Sequence, residues 1–141
     1  MRRAVNALHQ AKKQLLKLLR IRTRGVRVMV FNPAGEVLLI RHTYGRSDLY
    51  NLPGGGIRPW ESPEHAAHRE TREEAGCTLA GLVPVSVHLF SAQSEDRPIA
   101  DGVEVEEARF FALDALPATL SPATWRRLQE HLGRRSPNGR W

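Results

Sequence analysis

The sequence predicts an α/β domain preceded by a basic amphipathic helix. Three features predict it. The spacing of apolar residues changes from helical to alternating after residue 24. Two Ser-Pro pairs, Ser62-Pro63 and Ser121-Pro122, each open a helical stretch. Around them lie short runs rich in Val, Leu, Ile and Phe, of strand length.

Residues 4–20, AVNALHQAKKQLLKLLR, read as a helix. Val5, Leu8, Leu15, Leu16 and Leu19 fall near one stripe, with Lys12, Lys13 and Lys17 off it. The plainest reading packs the leucines on the body, or on a second subunit in a homodimer, and leaves a solvated basic face. That face also suits an anionic membrane surface or a nucleic acid. The stretch lacks the interleaved aromatics of single-strand binders and the cleavage signature of a secretory signal.

Gly25–Phe31, GVRVMVF, alternates as a half-buried strand. Asn32-Pro33-Ala34-Gly35 has turn chemistry, and Glu36–Arg41 is a second strand, so the two predict a hairpin. His42–Tyr50 reads as a polar loop, and Leu52–Ile57 as a short extended piece with three glycines. Ser62 is placed as an N-cap, Pro63 as the first helical residue, and Glu64 near the positive helix end. This helix should stop at Gly76. Leu79–Ala92 has room for one strand pair with a very tight turn. Val103–Leu113 is a strand, and a last helix runs from Ser121-Pro122 to about Leu132. The chain thus divides into a basic arm (1–24), a domain (25–133) and a loosely ordered tail (134–141).

The chain has 141 residues, enough for one core without disulfides. Net charge is +6, but residues 1–27 hold nine Lys or Arg and no acid. The remainder carries twelve basic and fifteen acidic residues, so the body is mildly acidic. One cysteine, Cys77, excludes an intrachain disulfide and a cysteine cage for a metal. It suits a reducing compartment, and a cytoplasmic location is the expectation.

The chemistry concentrates in Gly55–Cys77, GGIRPWESPEHAAHRETREEAGC. At 100° per residue Glu70, Glu73 and Glu74 share about a third of the helix circumference. Carboxylates so close repel and raise one another's pKa. A hard cation among them ends the repulsion, and Mg²⁺ or Mn²⁺ is the cation that prefers such oxygens. The adjacent glycines permit close backbone approach to a metal or a phosphate. Arg69 can orient a carboxylate. A Glu-rich helix face alone would be a solvated surface; the fixed spacing of its neighbours argues otherwise.

That spacing resembles the Nudix box, G-x5-E-x7-R-E-U-x-E-E-x-G-U with U apolar. Gly55, Glu61, Arg69, Glu70, Glu73, Glu74 and Gly76 occupy its fixed positions. Thr71 departs mildly at the first apolar position, and Cys77 fills the second. VLLIRH, LPGGG and EVEEARFFALDALP extend the likeness over residues 25–133. The resemblance implies an α/β/α sandwich with a mixed sheet, with the post-box segment resembling a member one hairpin shorter. It implies Mg²⁺-dependent hydrolysis of a phosphoanhydride in a nucleoside diphosphate linked to another group: a nucleotide, ADP-ribose or a nucleotide sugar. The alternative is a nucleotide-binding module without turnover.

By the same resemblance Glu70, Glu73, Glu74 and the Gly55 carbonyl hold metal, while Glu61 and Arg69 support them. Glu74, Glu104 and Glu107 remain open as the general base. Arg41, Tyr44, Arg46 and Tyr50, with Gly54, Gly55 and Gly56, are candidates to hold the substrate's phosphate or base. Trp60 stands where relatives often have glycine; its ring is expected to pack on the domain, with a stacking surface as the other reading. His42 and His88 are expected to be structural.

Overall fold

The computed structural model describes residues 2–18 and 25–134. Helix α1 is Arg2–Leu18. Seven strands follow: β1 (Gly25–Phe31), β2 (Val37–His42), β3 (Tyr50–Asn51), β4 (Gly54–Gly56), β5 (Ala80–Ser86), β6 (Leu89–Gln93) and β7 (Val105–Phe111). Helix α2 is Pro63–Ala75 and α3 is Pro122–His131. The strands form one mixed sheet in the order β3-β2-β1-β6-β5, with β4 also on β1 and β7 also on β2.

Alternation along the central strands separates two cores. Val26, Val28, Val30 and Leu38 face α2 and pack with Ala66, Ala67, Ala75 and Phe90. Met29, Val37 and Leu39 face the other way and pack with Phe111 and Leu128 of α3. Helices therefore cover both faces, and the sandwich expected from the sequence is present.

Helix α2 forms where its caps dictate. The Ser62 hydroxyl accepts from His65 N at 3.1 Å, and Gly76 closes the helix in the left-handed conformation at φ 66°. Its buried face is built of Ala66, Ala67, Thr71 and Ala75, all small. Small side chains let the helix axis lie close to the sheet. Thr71, the departure from the apolar position, is fully buried and donates its hydroxyl to Ala67 O at 2.8 Å. The hydroxyl is thereby satisfied inside the helix.

The expected hairpin of β1 and β2 is met only at its closed end. The Asn32 side chain accepts from Ala34 N at 3.1 Å and Glu36 N at 2.9 Å, which fixes the turn. Beyond it the strands pair at Phe31 and Val37 and then diverge. The glycine segment takes the vacated edge of β1: Val28 N donates to Pro53 O at 3.0 Å, and Gly25, Val26 and Arg27 lie opposite Gly56, Gly55 and Gly54. Strand β2 pairs instead with β7, from Val37 opposite Phe111 to Arg41 opposite Glu107.

The post-box segment forms the one strand pair its length allows. Val87 and His88 alone join β5 to β6, with His88 at φ 59°. Histidine is among the residues that tolerate this region. Strand β6 then runs parallel to β1. Strand β5 is an edge, with Val83, Val85 and Val87 exposed. The tail expected from residue 134 lies, beyond Arg134, outside the described residues, as does the end of the first helix after Leu18.

Gly54, at φ 151°, tests the close packing of β4 on β1, because a methyl there would sit 2.0 Å from Val26 O. Gly54→Ala should destabilise the protein by about 3 kcal/mol, read as a lowered urea midpoint with an unchanged slope.

Candidate active site

The glycine strand β4 lies directly beneath the acidic face of α2. The buried carboxylate of Glu74 accepts from Gly54 N at 2.7 Å. A methyl on Gly55 would come within 2.6 Å of the Glu70 carboxyl, so only glycine admits that side chain. Burial, with repulsion from Glu70 next, holds the Glu74 carboxyl well above its ordinary range, against the Gly54 amide. Burial raises Glu70 too, while the Arg69 guanidinium opposes the shift. Glu73 points outward, half exposed.

Arg69 organises this face. Its Nε and Nη2 donate to the two oxygens of Glu61, both at 2.7 Å. Nη2 also reaches Gly56 O at 3.0 Å. Nη1 donates to Glu70 at 3.0 Å and Glu73 at 3.3 Å. The bidentate pair draws Glu61 down to about 2, with His65 Nδ1 adding a contact at 2.6 Å. Glu61 in turn raises Arg69 further.

The carboxylates do not meet at one point. Among the described residues no three His, Cys, Asp or Glu side chains form a ready cation cluster. The physical reason is that the Gly54 amide draws Glu74 inward while Arg69 bridges Glu70 and Glu73. The donor chemistry nevertheless fits a hard divalent cation. The donors are carboxylate oxygens beside a glycine backbone, and the repulsion between Glu70 and Glu74 is what such a cation removes.

The remaining expected residues fall into two groups. Arg41, Tyr50 and Glu107 form one network on the α3 side of the sheet: Arg41 donates to Glu107 Oε2 at 3.2 and 3.1 Å, and the Tyr50 hydroxyl donates to it at 2.9 Å. The Glu107 hydrogen bond raises Arg41. Arg46 forms an exposed pair with Asp48 at 3.0 Å. The charge of Glu104 is the smallest of the named influences that raise Glu70 and Glu74. Its carboxylate meets α1: His9 Nδ1 is 3.0 Å away and Lys13 Nζ 3.8 Å. Lys13 also donates to the Tyr44 hydroxyl.

Helix α1 meets the body through polar His9 and Lys13, with Leu8 of the apolar stripe 71% exposed; the side chains of Leu15, Leu16 and Leu19 lie outside the described residues. Two expectations are corrected by these placements. The Trp60 ring does not pack on the domain; it is 83% exposed. His42 is not a satisfied structural histidine, because its buried Nδ1 has no hydrogen-bond partner. Burial, with Lys13 and Arg27 next, lowers its pKa. The roles of His9 and Lys13 at Glu104 had no signal in the sequence, since residues 9, 13 and 104 are distant and share no motif.

The sequence profile of the NUDIX domain matches residues 21–131. The chain belongs to the NUDIX family. It is 30% identical to a Bacillus subtilis protein named "Putative 8-oxo-dGTP diphosphatase", over 77% of this chain and 78% of that one. It is 34% identical to the NAD-capped RNA hydrolase NudC of Pseudomonas syringae pv. tomato, over 64% of this chain and only 36% of that relative. Among solved structures, a MutT NUDIX hydrolase from Burkholderia pseudomallei superposes with TM-score 0.61 at 25% identity, covering 76% of this chain and 95% of that one. The NUDIX relatives are named diphosphatases and pyrophosphohydrolases, so hydrolysis of nucleotide-linked phosphates is the shared chemistry. No helix among the described residues is long and apolar enough to cross a membrane.

The Glu61–Arg69 pair predicts an acid response. The folded-state pKa of Glu61 is lowered from 4.5 to about 2, so its contribution is complete above pH 4.5 and lost as pH falls to about 2. Glu70 and Glu74 act in the opposite sense: their raised values favour the folded protein in acid and disfavour it as pH rises. Glu61→Gln should lower Tm above pH 4.5 and remove the corresponding part of its fall in acid, measured by melting from pH 7 to 2.

Proposed function

We propose that the protein is a divalent-metal-dependent pyrophosphohydrolase that cleaves a phosphoanhydride in a nucleoside diphosphate linked to another moiety. The observation that supports this best is the pair of raised carboxyls, Glu70 and Glu74, held against the Gly54-Gly55 backbone and buttressed by Arg69. In this reading Glu70, Glu73, Glu74 and the Gly55 carbonyl hold Mg²⁺, or Mn²⁺ in its place. The bound cation supplies positive charge to the phosphoryl oxygens.

The chain's own residues do the rest. Arg69 would let go of Glu70 and Glu73, the residues that would hold the cation, while its two bonds to Glu61 keep the helix face in place. Glu104 takes a proton from the attacking water, whose oxygen bonds to phosphorus as the anhydride P–O bond breaks. Glu107 is less suited, because Arg41 and Tyr50 already engage its Oε2. Glu74 is less suited because its carboxylate is 4% exposed and bonded to Gly54. The backbone of Gly54–Gly56 would line the substrate beside the box, while Arg41 and Tyr50, on the α3 side of the sheet, and Tyr44 and Arg46 would meet its far end. Arg41 and Arg46 would exchange their present partners for phosphate, and the domain they sit in is residues 25–133, with residues 1–24 an accessory arm.

Relatives and neighbours named for 8-oxo-dGTP, NAD-capped RNA, Ap4A and ADP-ribose define the compounds to test. Phosphate-bond cleavage of this panel, with nucleotide sugars added, should require Mg²⁺. Glu74→Gln should abolish it, and Glu104→Gln should reduce kcat by about 10²- to 10⁴-fold. Turnover without a divalent metal, or in Glu74→Gln, would overturn the reading.

Metal binding has its own readout. Saturating Mg²⁺ should raise Tm by about 3 °C or more at pH 8. The shift should shrink in a Glu70→Gln, Glu74→Gln double variant. A shift without turnover of any compound would favour the binding module.

A further inference from the structure

We infer that Asp101 is a positioning residue for Glu104, holding the backbone from which the glutamate's side chain departs. The inference deepens the proposed function and rests on the role given there to Glu104.

One oxygen of Asp101, Oδ1, accepts three backbone hydrogen bonds: from Val103 N at 2.8 Å, Glu104 N at 3.0 Å and Val105 N at 2.9 Å. The Asn32 side chain, which fixes the β1–β2 turn, accepts from two backbone amides; Asp101 accepts from three in succession. Three donors on one carboxylate oxygen fix three consecutive peptide planes, with Glu104 in the middle. The chain loops back between them, and Gly102 N donates to Val105 O at 3.0 Å.

The opposite side of the same peptides is held by Thr43 at the end of β2. Thr43 N donates to Glu104 O at 2.9 Å. Its hydroxyl donates to Val103 O at 2.7 Å, with Glu104 O at 3.3 Å beside it. Both backbone groups of Glu104 are therefore engaged, as are those of Val103. The β2–β7 register also shifts here, with Arg41 opposite Glu107 but His42 opposite Val105. The extra residue, Glu106, bends β7 just after Glu104.

This arrangement is more than a loop needs for order. Val105 and β7 already pair with β2. The Val103-Glu104 peptide, by contrast, lies before the strand and owes its place to Asp101 and Thr43. What the clamp presents is the root of one side chain. That side chain's carboxylate meets His9 Nδ1 at 3.0 Å and Lys13 Nζ at 3.8 Å.

The test compares Asp101→Ala, Asp101→Asn, Glu104→Gln and the Asp101→Ala, Glu104→Gln double variant. All are full-length and assayed on the panel compound that wild type turns over fastest. Asp101→Ala should lower kcat about 10- to 100-fold with KM little changed, the size expected of a misplaced group. Asp101→Asn, whose amide oxygen still accepts, should recover part of the rate. The double variant should be no slower than Glu104→Gln alone, because residues acting as a unit are not additive. Amide exchange should quicken at Val103, Glu104 and Val105 in Asp101→Ala while the rest of the sheet stays protected.

Losses that multiply in the double variant, or full kcat in Asp101→Ala with Glu104→Gln slow, would overturn the positioning role alone. Unchanged amide protection would overturn it as well. Full kcat in Glu104→Gln would instead remove the reading beneath it, and the inference would fall with it. Should Asp101→Ala not fold, Asp101→Ser, whose shorter side chain cannot span all three amides, carries the same comparisons.

Discussion

The approach of α2 to the glycine strand governs the arrangement of the site. Three facts make it possible. The helix carries alanine and threonine on its inner face, β4 carries no side chains at all, and Pro53 and Val28 anchor the strand's entry to β1. The result is that two carboxylates reach the backbone of β4 with no room between. A carboxylate in such a place loses water and gains only one amide in return. Its charge is then unstable on its own, which is the condition that favours recruitment of a cation. Packing and chemistry are here the same constraint: a bulkier residue at Gly55 would push Glu70 off and relax the site together.

Opposite charges are handled by pairing each acid to a different degree. Glu61 is bound on both oxygens and serves as a fixed strut. Glu107 is neutralised within the network of Arg41 and Tyr50. Glu104 has contacts with His9 and Lys13 of α1, at partly exposed side chains, where ion pairs are weak. The strength of pairing therefore grades from Glu61, held on both oxygens, to Glu104, held at partly exposed side chains.

Much of this was legible in the sequence because the signals were local. Ser62-Pro63 and Gly76 mark α2 through capping geometry that needs no tertiary context, and the structure ends the helix at those residues. The box spacing places Glu70, Glu73 and Glu74 on one face by helix periodicity alone. What the sequence withheld was longer in range. The Asn32–Gly35 turn signalled a hairpin, but the partner that displaced β2 from β1 lies some twenty residues further on, in a segment with no strand propensity. Trp60 looked like a core residue by type, yet its place in a loop tip leaves it in solvent. The contacts of His9 and Lys13 with Glu104 depend on how a helix docks, and periodicity says nothing of that. Thr71 shows the reverse case, a polar residue in an apolar slot made harmless by its own helix.

Strand β1 has an unusual set of neighbours. One edge is shared by β4 and β2, the other belongs to β6, and its alternating side chains enter both cores. Strand β4, helix α2 on one face and helix α3 on the other are all tied through this one segment. No half of the molecule can detach and leave the other half with a finished core. The domain should therefore open in a single all-or-none event, and the site cannot be loosened in isolation by partial unfolding of the sheet that carries it.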